Sequence, residues 1–516
     1  MASTPGFVLA GTHSGVGKTT LTLALLQALK NLNLPIQSCK VGPDFIDPRF
    51  HEAVTGTPAY NLDACLLGDD TMVNLYGETR LPGHLTLVEG VMGLFDGRGT
   101  RHEGSSTAWV ARCLGLPVVL VIDGGGLSTS AAALVKGYRD YDPAVKLAGV
   151  IVNRISGEKH YRLIQEAVER DTGIPCLGWM PREASFHLES RHLGLVPAIE
   201  VEALRQQIQA MAQAAAAHIE LHRLPGVAQY VDTAPSAPSG EPVPPPSPIN
   251  RFSHGLQHFP APSHTVGVAY DAAFHFYYQS NLDWLRHQGC RLIPVSPLKD
   301  TALPADLDAL YLGGGFPEMF GEELEANTSF RESLHRRVAE GLPVYAECGG
   351  FQYLCRHLTD LDGRTWQMTG VFQAASRMTG RLQHFGYCRV TSLPGQPYFP
   401  PGITTWGHEF HRGVVEELSQ TYQSEKTTSI NGSGAGSISG EVTAPVLAME
   451  KPTDPGSAAA RNTGTGSTAA ENTAAENTAA PGWTCGMTVK NTFGGFPHIF
   501  FHTNPDFGTA WLKKMK

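Results

Sequence analysis

The sequence predicts an α/β protein with two domains, the first of them a doubly wound and mostly parallel sheet. Three observations support this. Short apolar runs alternate with helical patterns over residues 1 to about 220. A Pro-rich, nearly uncharged stretch then follows at 233–250, and strand signals resume at 265–271. We therefore expect a first domain over 1–224, a linker over 225–262 and a second domain over 263–516.

The strands of the first domain are predicted from runs rich in Val, Leu and Ile. The runs are "GFVLAG" (6–11), "LTLVEG" (85–90), "VVLVID" (118–123) and "LAGVIVN" (147–153). Their nearly continuous apolar character is typical of parallel strands covered on both faces. The Ala- and Gln-rich segment 202–222 predicts a helix that closes this domain.

The second domain repeats this alternation. Strand signals occur at 265–271, 308–315 and 343–350, so we expect a second α/β domain. A stretch rich in Ser, Thr, Gly and Ala interrupts it at 418–483 and contains "AAENTAAENTAAPG". Such a composition does not supply a core, so we expect a disordered surface insertion there.

Composition excludes some function classes. The 516 residues carry a net charge of −9 without a long basic run, so we expect no nucleic-acid partner. No apolar run approaches the roughly 20 residues of a membrane span, and the N-terminus lacks the features of a signal peptide, so we expect no membrane partner. The nine cysteines occur singly, without CxxC spacing, which favours a reducing cytoplasm.

The segment "GTHSGVGKTT" (11–20) is typical of a phosphate-binding loop between a strand and a helix. Backbone N–H groups and the helix N-terminus bind the anion, Lys18 neutralises charge, and the Thr19 hydroxyl can hold Mg²⁺. The first glycine stands one residue earlier than in the usual pattern, which resembles the dethiobiotin-synthetase and MinD-like branch. The expected ATP-binding residues are Gly11, Thr12, Gly15, Gly17, Lys18, Thr19 and Thr20.

Carboxylates follow the neighbouring predicted strands. Asp44 and Asp47 lie in the loop segment 40–50, and Glu89 stands at the end of the strand 85–90. Ligands of open α/β sheets bind at the carboxyl ends of the strands, so these three side chains are candidates for binding the metal or the substrate. Three further residues are weaker candidates. Asp96 lies in the loop after this strand, and Asp123 is a weaker metal candidate. Asn153 is a candidate for adenine recognition or for a turn.

A nucleophilic cysteine is predicted in the second domain. In "GLPVYAECGGFQYLC" (341–355), Cys348 lies where an apolar strand turns sharply into a helix. A helix N-terminus favours the thiolate, and glycines allow backbone N–H groups to approach an oxyanion. The Gly-rich segment 311–318 offers a second oxyanion contact.

Histidines in remote segments are candidates for the general base. His498 and His502 lie in "GGFPHIFFHTNPDF" (494–507). A histidine far away in sequence but close in space is the usual partner of a cysteine nucleophile. His408 and His411 in "WGHEFHRG" (406–413) are candidates for either substrate binding or a structural role.

Together these motifs resemble the cobyrinic acid a,c-diamide synthase family of amidotransferases. The matching segments are "GTHSGVGKTT", "KVGPDFIDP" (40–48), "NLDACLLG" (61–68), "VEGVMGLFDG" (88–97), "RHLGLVPA" (191–198), "DAAFHFYY" (271–278), "YLGGGFPE" (311–318), "ECGGFQYL" (347–354) and "GHEFH" (407–411). The resemblance covers both halves in order and omits the linker and the insertion. It implies an ATP-dependent ligase domain fused to a class I glutamine-amidotransferase-like domain.

The resemblance further implies the reaction and its participants. ATP with Mg²⁺ activates acetate carboxylates of a corrin such as cobyrinic acid, and glutamine supplies ammonia at Cys348. His498 matches the first histidine of the family's YxHxH pattern and is the expected base. Pro497 and Phe500 depart from that pattern, so His502 remains the alternative; no acidic third member is assigned. We expect a cytoplasmic enzyme and a homodimer.

Two alternatives remain. A MinD-like ATPase switch fits the first domain alone, but it has no use for a cysteine elbow and a remote histidine. A nickel-sirohydrochlorin a,c-diamide synthase would share the architecture. The motifs also leave open whether the corrin already contains cobalt.

Overall fold

The computed structural model describes residues 5–100, 102–186, 202–228, 260–417, 445–451 and 483–515. Most of the predicted linker, almost all of the predicted insertion and the segment 191–198 therefore lie outside the described residues. The chain folds as two compact units, Met1–Phe259 with Tyr278–Ser280 and Pro260–Tyr277 with Asn281–Lys516. No helix in the described part of the chain combines the length and apolar character that crossing a membrane requires.

The first unit is built on seven parallel strands in the order β3-β2-β4-β1-β5-β6-β7. The strands are β1 Gly6–Gly11, β2 Ile36–Val41, β3 Tyr60–Leu62, β4 Leu85–Glu89, β5 Val118–Asp123, β6 Leu147–Ile155 and β7 Cys176–Pro181. The central strands are buried throughout, as their apolar sequences predict. The order reverses around β1, so the carboxyl ends of β1, β2 and β4 open onto one crevice.

Helices connect the strands of this unit. They are α1 Lys18–Asn31, α2 Asp47–Thr55, α3 Ala64–Leu67, α4 Asp69–Thr79, α5 Thr107–Leu114, α6 Ser130–Tyr141, α7 Glu158–Thr172, α8 Glu202–His218 and α9 Leu224–Val227, with 3-10 turns at Ala184–Phe186 and Leu221–Arg223. Leucines and alanines of α1 pack into the core beside β1 and α8. The helix predicted over 202–222 thus corresponds mainly to α8.

The second unit contains a six-stranded sheet in the order β10-β8-β11-β13-β23-β22, parallel except for the β22–β23 pair. Its strands are β8 His264–Ala269, β10 Cys290–Val295, β11 Ala309–Leu312, β13 Val344–Glu347, β22 Met487–Val489 and β23 Thr492–Gly495. Because β13 and β23 are parallel neighbours, the residues after Glu347 and after Gly495 emerge at the same edge. The α/β class predicted for both halves is confirmed.

Smaller sheets and helices complete the second unit. The strands are β9 Phe274–Phe276, β12 Gly314–Gly315, β14 His357–Thr359, β15 Thr365–Gln367, β16 Ala374–Met378, β17 His384–Ser392, β18 Thr404–His411, β19 Gly413–Glu417, β20 Leu447–Glu450, β21 Trp483–Cys485 and β24 His498–Ile499. The helices are α10 Gln279–His287, α11 Gly321–Ala326, α12 Thr328–Ala339, α13 Gly349–Leu354 and α14 Pro505–Leu512, with a 3-10 helix at Pro317–Phe320.

Candidate functional site

The phosphate-loop segment has the backbone shape that its glycines predict. The loop leaves β1 at Gly11 and enters α1 after Gly17, whose φ of 99° is in the left-handed region. A Cβ on Gly17 would lie 2.2 Å from Asn153 Nδ2, and one on Gly11 would lie 2.3 Å from Val16 Cγ1. No side chain caps α1, so its first turn presents backbone N–H groups toward the loop.

Two residues at the end of β6 brace this loop. The Asn153 amide donates to the Val16 carbonyl at 2.8 Å, and Arg154, at φ 60°, donates to the Gly15 carbonyl at 2.6 Å. The other guanidinium nitrogen of Arg154 lies 2.5 Å from Asp123 Oδ2. Asp123 is thus ion-paired with Arg154 and does not lie with the other carboxylates. Asn153 therefore supports the loop by binding its backbone.

Lys18 reaches across the loop. Its ammonium donates to the carbonyls of His13, at 3.3 Å, and of Met92. Burial, with a smaller contribution from the nearby Lys40, lowers the Lys18 pKa to about 8. A desolvated ammonium held by two carbonyls is a weakly compensated charge, which a phosphate could neutralise.

The remaining predicted loop residues lie around Lys18. Thr12 is hydrogen-bonded through its hydroxyl to His13 Nδ1 at 2.9 Å, and its carbonyl accepts from the Tyr138 hydroxyl at 2.5 Å. Thr20 is half-buried in the first turn of α1, and Gly15, at φ 81°, is exposed. Asp96 fixes the neighbouring loop by accepting from the Gly93 N–H at 2.8 Å.

Thr19 and two of the three predicted carboxylates converge. The Thr19 hydroxyl donates to Glu89 Oε1 at 2.8 Å and lies 3.3 Å from Asp47 Oδ2. Asp44 contributes differently, because its carboxylate accepts from the backbone N–H groups of Ile46 at 2.7 Å and Asp47 at 3.3 Å. Asp44 therefore shapes the start of α2, while Asp47 and Glu89 face Thr19.

Lys40, which none of the sequence motifs singles out, occupies the centre of this group. Its ammonium lies 2.5 Å from Asp47 Oδ2, 2.8 Å from Glu89 Oε1 and 3.9 Å from Asp44 Oδ2. His51 Nε2 approaches the other Glu89 oxygen at 2.8 Å. A lysine inside the buried strand "IQSCKV" was the available signal, since lysine is rarely buried without a partner.

The pKa shifts of Lys40, Glu89 and Asp47 arise because the two buried carboxylates share one ammonium group. Burial alone would lower the pKa of Lys40, but Asp47 and Glu89 outweigh it and raise that pKa. Burial would likewise raise the pKa of Glu89, but Lys40 and His51 lower it. The pKa of Asp47 is raised by burial despite the attraction of Lys40. Asp47 is consequently the carboxylate that would most readily take up a proton.

The donor set here suits a magnesium ion. Thr19, Asp47 and Glu89 offer oxygen atoms alone, which is the chemistry that Mg²⁺ prefers, and they lie beside the loop expected to bind phosphate. Across the part of the chain that the structure describes, no cluster of three or more His, Cys, Asp or Glu side chains is arranged to hold a metal. Mg²⁺ typically keeps phosphate oxygens and waters among its ligands.

In the second unit, Cys348 lies on the predicted elbow. It joins β13 to α13 with φ 47° and ψ −105°, a conformation that non-glycine residues rarely adopt. Its backbone N–H donates to the Gly495 carbonyl at 2.8 Å, which fixes the turn against β23. A Cβ on Gly349 would lie 2.9 Å from Gly315 N, so the elbow packs closely on the Gly-rich strand β12.

The Cys348 thiol is less acidic than its position predicts. Burial, followed by the charge of the Glu318 carboxylate and a smaller effect of Glu347, raises its pKa to about 12, while the Gly349 N–H acts in the opposite direction. The helix that follows has six residues, so its dipole is weak compared with these effects. The expectation of a thiolate favoured by the helix N-terminus is therefore wrong for the ligand-free protein.

His498 lies at the same edge as Cys348. A Cβ on Gly314 would lie 2.6 Å from His498 Cε1, so this ring and the elbow both pack against β12. His498 Nδ1 is 3.4 Å from Glu347 Oε2, and the Tyr311 hydroxyl donates to the same oxygen at 3.1 Å. Glu347 thus lies where an acidic third member would be, although the family resemblance implies none.

The other three candidate histidines, His408, His411 and His502, have different surroundings. His502 lies near His287, and burial lowers its pKa to about 4. His411 is stacked on Phe496 with ring centroids 3.8 Å apart, and its Nδ1 is 2.8 Å from the Gly413 carbonyl. His408 pairs with His498 across β18 and β24. This geometry favours a structural role for His411 and a place beside the candidate base for His408.

Comparisons with known proteins agree with this division of chemistry. Residues 7–196 match the model of the CobQ/CobB/MinD/ParA nucleotide binding domain. Residues 265–447 match the model of the CobB/CobQ-like glutamine amidotransferase domain. The first range contains the phosphate loop and the second contains Cys348.

Curated relatives match both halves of the chain. A cobyrinate a,c-diamide synthase of Streptococcus sanguinis is 38% identical over 99% of this chain and 99% of its own length. Proteins of the same name from Listeria innocua and Limosilactobacillus reuteri are 42% and 36% identical, covering 79% and 98% of this chain and 87% and 98% of their own lengths. The chain therefore belongs to the cobyrinate a,c-diamide synthase family.

Proposed function

We propose that the protein uses ATP and glutamine to amidate the a- and c-acetate carboxylates of cobyrinic acid in cobalamin biosynthesis. The observation that carries this is the presence in one chain of two complementary sites, a phosphate loop backed by buried carboxylates and a cysteine on a strained elbow. Membership of the family supports the same reaction. The protein is thus a carbon–nitrogen ligase with glutamine as its amide-nitrogen donor.

The ligase half-reaction is assigned to the first unit. Amidation of a carboxylate is uphill, and ATP makes it feasible by converting the carboxylate to an acyl phosphate with release of ADP. Lys18 and the loop N–H groups would hold the phosphates, and Lys40 would balance the charge of Asp47 and Glu89 beside them. Ammonia then displaces phosphate from the acyl carbon and yields the amide.

Magnesium is part of this proposal. Thr19, Asp47 and Glu89 are the residues that would hold it, since their oxygen atoms already converge within hydrogen-bonding distance. When bound, Mg²⁺ neutralises charge on the β- and γ-phosphates. The role of Lys40 is to hold the two carboxylates together, and to keep Glu89 ionised, when the site is not loaded.

The glutaminase half-reaction is assigned to the second unit. Cys348 Sγ attacks the amide carbon of glutamine while His498 takes the thiol proton and returns it to the departing ammonia. Water then hydrolyses the thioester, so that glutamine and water become glutamate and ammonia. Glu347 would orient His498 through Nδ1. His502 remains the alternative base in the experiment below.

Cytoplasmic location and a homodimer belong to the proposal as well. All nine cysteines are free, which supports a reducing compartment. Sedimentation velocity of the full chain tests the dimer.

A reconstituted reaction tests the function directly. The purified protein is given ATP, Mg²⁺ and glutamine with each tetrapyrrole in turn: cobyrinic acid, its cobalt-free counterpart and nickel-sirohydrochlorin. We expect two successive exchanges of OH for NH₂ on a corrin, read by mass, with one ADP and one glutamate for each. Amidation of nickel-sirohydrochlorin alone would replace the corrin assignment, and ATP hydrolysis without amidation would favour a switch.

A further inference from the structure

Glu318 lies beside the nucleophile but has no part in the chemistry described so far. It belongs to the 3-10 helix Pro317–Phe320, which follows the Gly-rich strand β12. A Cβ on Gly349 would lie 2.9 Å from Pro317 Cδ, so this helix packs on the elbow. After burial, Glu318 is the strongest influence on the pKa of the Cys348 thiol. Because Glu318 directly follows Pro317 in this helix, its carboxylate lies near enough to the elbow to act on the thiol electrostatically.

The Glu318 carboxylate is weakly compensated. Within the described residues, no other side chain forms an ion pair or hydrogen bond with it, and it is partly exposed. Burial raises its pKa to about 7, against a small opposing effect of its own backbone N–H. Partial burial of an acid without a neighbouring cation costs free energy, which a positively charged ligand could recover.

The neighbouring acids are in a different situation. Glu347 is engaged by Tyr311, His498 and the Ile499 N–H. Glu409 on β18 is 1% exposed, so a ligand could not reach it without rearrangement. Among the described acids near Cys348, Glu318 is the one that is partly exposed and has no side-chain partner.

A negative charge at this place opposes the catalytic role of the cysteine. The thiolate is the nucleophile, and Glu318 disfavours it by raising the thiol pKa. The conflict disappears if the substrate itself brings a positive charge. Glutamine does so, because its α-ammonium nitrogen lies four bonds from the amide carbon, about 5 Å when extended.

We propose that Glu318 binds the α-ammonium group of L-glutamine and thereby selects the nitrogen donor. The inference rests on the proposed glutaminase function and deepens it. The bound ammonium neutralises the charge of Glu318, so this charge no longer opposes ionisation of the Cys348 thiol when glutamine is bound. A donor that lacks the ammonium, such as glutaramate, would leave the charge of Glu318 unneutralised and would lack the ionic contact with it.

The experiment compares glutamine with glutaramate, which keeps the amide and the carboxylate but lacks the α-ammonium. Ammonia release is measured for the full-length protein and for Glu318→Gln, with ATP and the corrin present. Glu322→Gln serves as the control, because Glu322 is an exposed acid on the adjoining helix α11. Amidation from ammonium chloride is followed in parallel.

We expect the parent and the control to prefer glutamine over glutaramate by about 10- to 100-fold in kcat/KM, the range for a charged hydrogen bond. Glu318→Gln should lose most of that factor with glutamine, mainly through KM, and should use glutaramate at least as well as the parent. Ammonia-dependent amidation should not change. A retained preference in Glu318→Gln, or an equal loss with both donors, would overturn the proposal.

A second readout examines the neighbourhood of Glu318 and Cys348 without turnover. Alkylation of Cys348 by iodoacetamide should be faster in Glu318→Gln than in the parent, because removal of the charge lowers the thiol pKa. An unchanged rate would contradict the electrostatic link. If the parent releases no ammonia from glutamine although it amidates with ammonium chloride, the glutaminase assignment fails instead, which is a distinguishable result.

Discussion

Replacement of Lys40 by methionine tests whether the buried ion cluster supports the first unit. Methionine keeps the apolar stem and removes an ammonium that lies 2.5 Å from Asp47 and 2.8 Å from Glu89. Breaking a buried pair by removing one partner costs about 3–5 kcal/mol. For a unit of this size, that corresponds to a midpoint roughly 6 to 20 °C lower. The raised pKa of Asp47 favours the lower end, since protonation relieves part of the repulsion.

The pH dependence of this loss has a definite sign. Lys40 lowers the folded-state pKa of Glu89 below its ordinary value of 4.5, so the stabilisation is present above that value and is lost as the pH falls through the folded-state pKa. The deficit of Lys40→Met should therefore be at its full size near pH 7 and begin to shrink below pH 4.5, so that it is slightly smaller at pH 4. Thermal unfolding at both pH values, followed by circular dichroism, measures it.

A compensating variant separates charge from packing. Lys40→Met with Asp47→Asn leaves one carboxylate instead of two, and we expect it to regain part of the lost stability at pH 7. Mg²⁺ should also stabilise Lys40→Met more than the parent, because it can replace the missing cation. Equal unfolding midpoints for Lys40→Met and the parent at pH 7 would refute the reasoning.

Two further predictions concern one residue in each unit. Lys18→Met should abolish amidation with glutamine and with ammonia, yet raise the free energy of unfolding without ligand by about 1–3 kcal/mol at pH 7. The gain arises because the Lys18 pKa is lowered to about 8 from 10.5; it is present below pH 8 and fades as the pH rises to 10.5, which titration of stability checks. Glu347→Gln should lower glutaminase activity between about 10- and 10⁴-fold, the upper limit being the loss of a triad carboxylate, with ammonia-dependent amidation intact. Unchanged glutaminase kinetics in that variant would remove Glu347 from the site.

Local sequence patterns predicted the parts of the fold that depend on nearest neighbours. The order strand, Gly-rich turn, helix predicts that Lys18 and Thr19 open helix α1 and that Cys348 lies on an elbow, and the structure has them there. In both cases the glycines report a backbone requirement that short segments encode. The α/β class follows from the same alternation of apolar strands and helices.

Contacts that depend on the pairing of distant segments are harder to predict from the sequence. Lys40 meets Glu89 because β2 and β4 are neighbours in register, and no local pattern gives that register. Asp123 was grouped with metal candidates because it ends a strand, but Arg154 on the next strand pairs with it.

The electrostatics of the second site were missed for the same reason. Glu347 directly precedes Cys348 in sequence, yet its relation to His498 arises through the β13–β23 pair, more than a hundred residues apart along the chain. The pKa of the Cys348 thiol is raised first by burial and then by Glu318, which the fold brings in from another loop. The local sequence indicates the helix N-terminus beside Cys348 but not the charges that the fold brings near it.

The Cys348→Ala variant tests the central claim that one chain joins a glutaminase to an ATP-dependent ligase. Its amidation of cobyrinic acid is measured with glutamine and, separately, with high ammonium at alkaline pH, where free NH₃ is abundant. We predict that the glutamine route falls by several orders of magnitude while the ammonia route persists, because the loss is confined to release of ammonia. Undiminished use of glutamine by this variant would contradict the account.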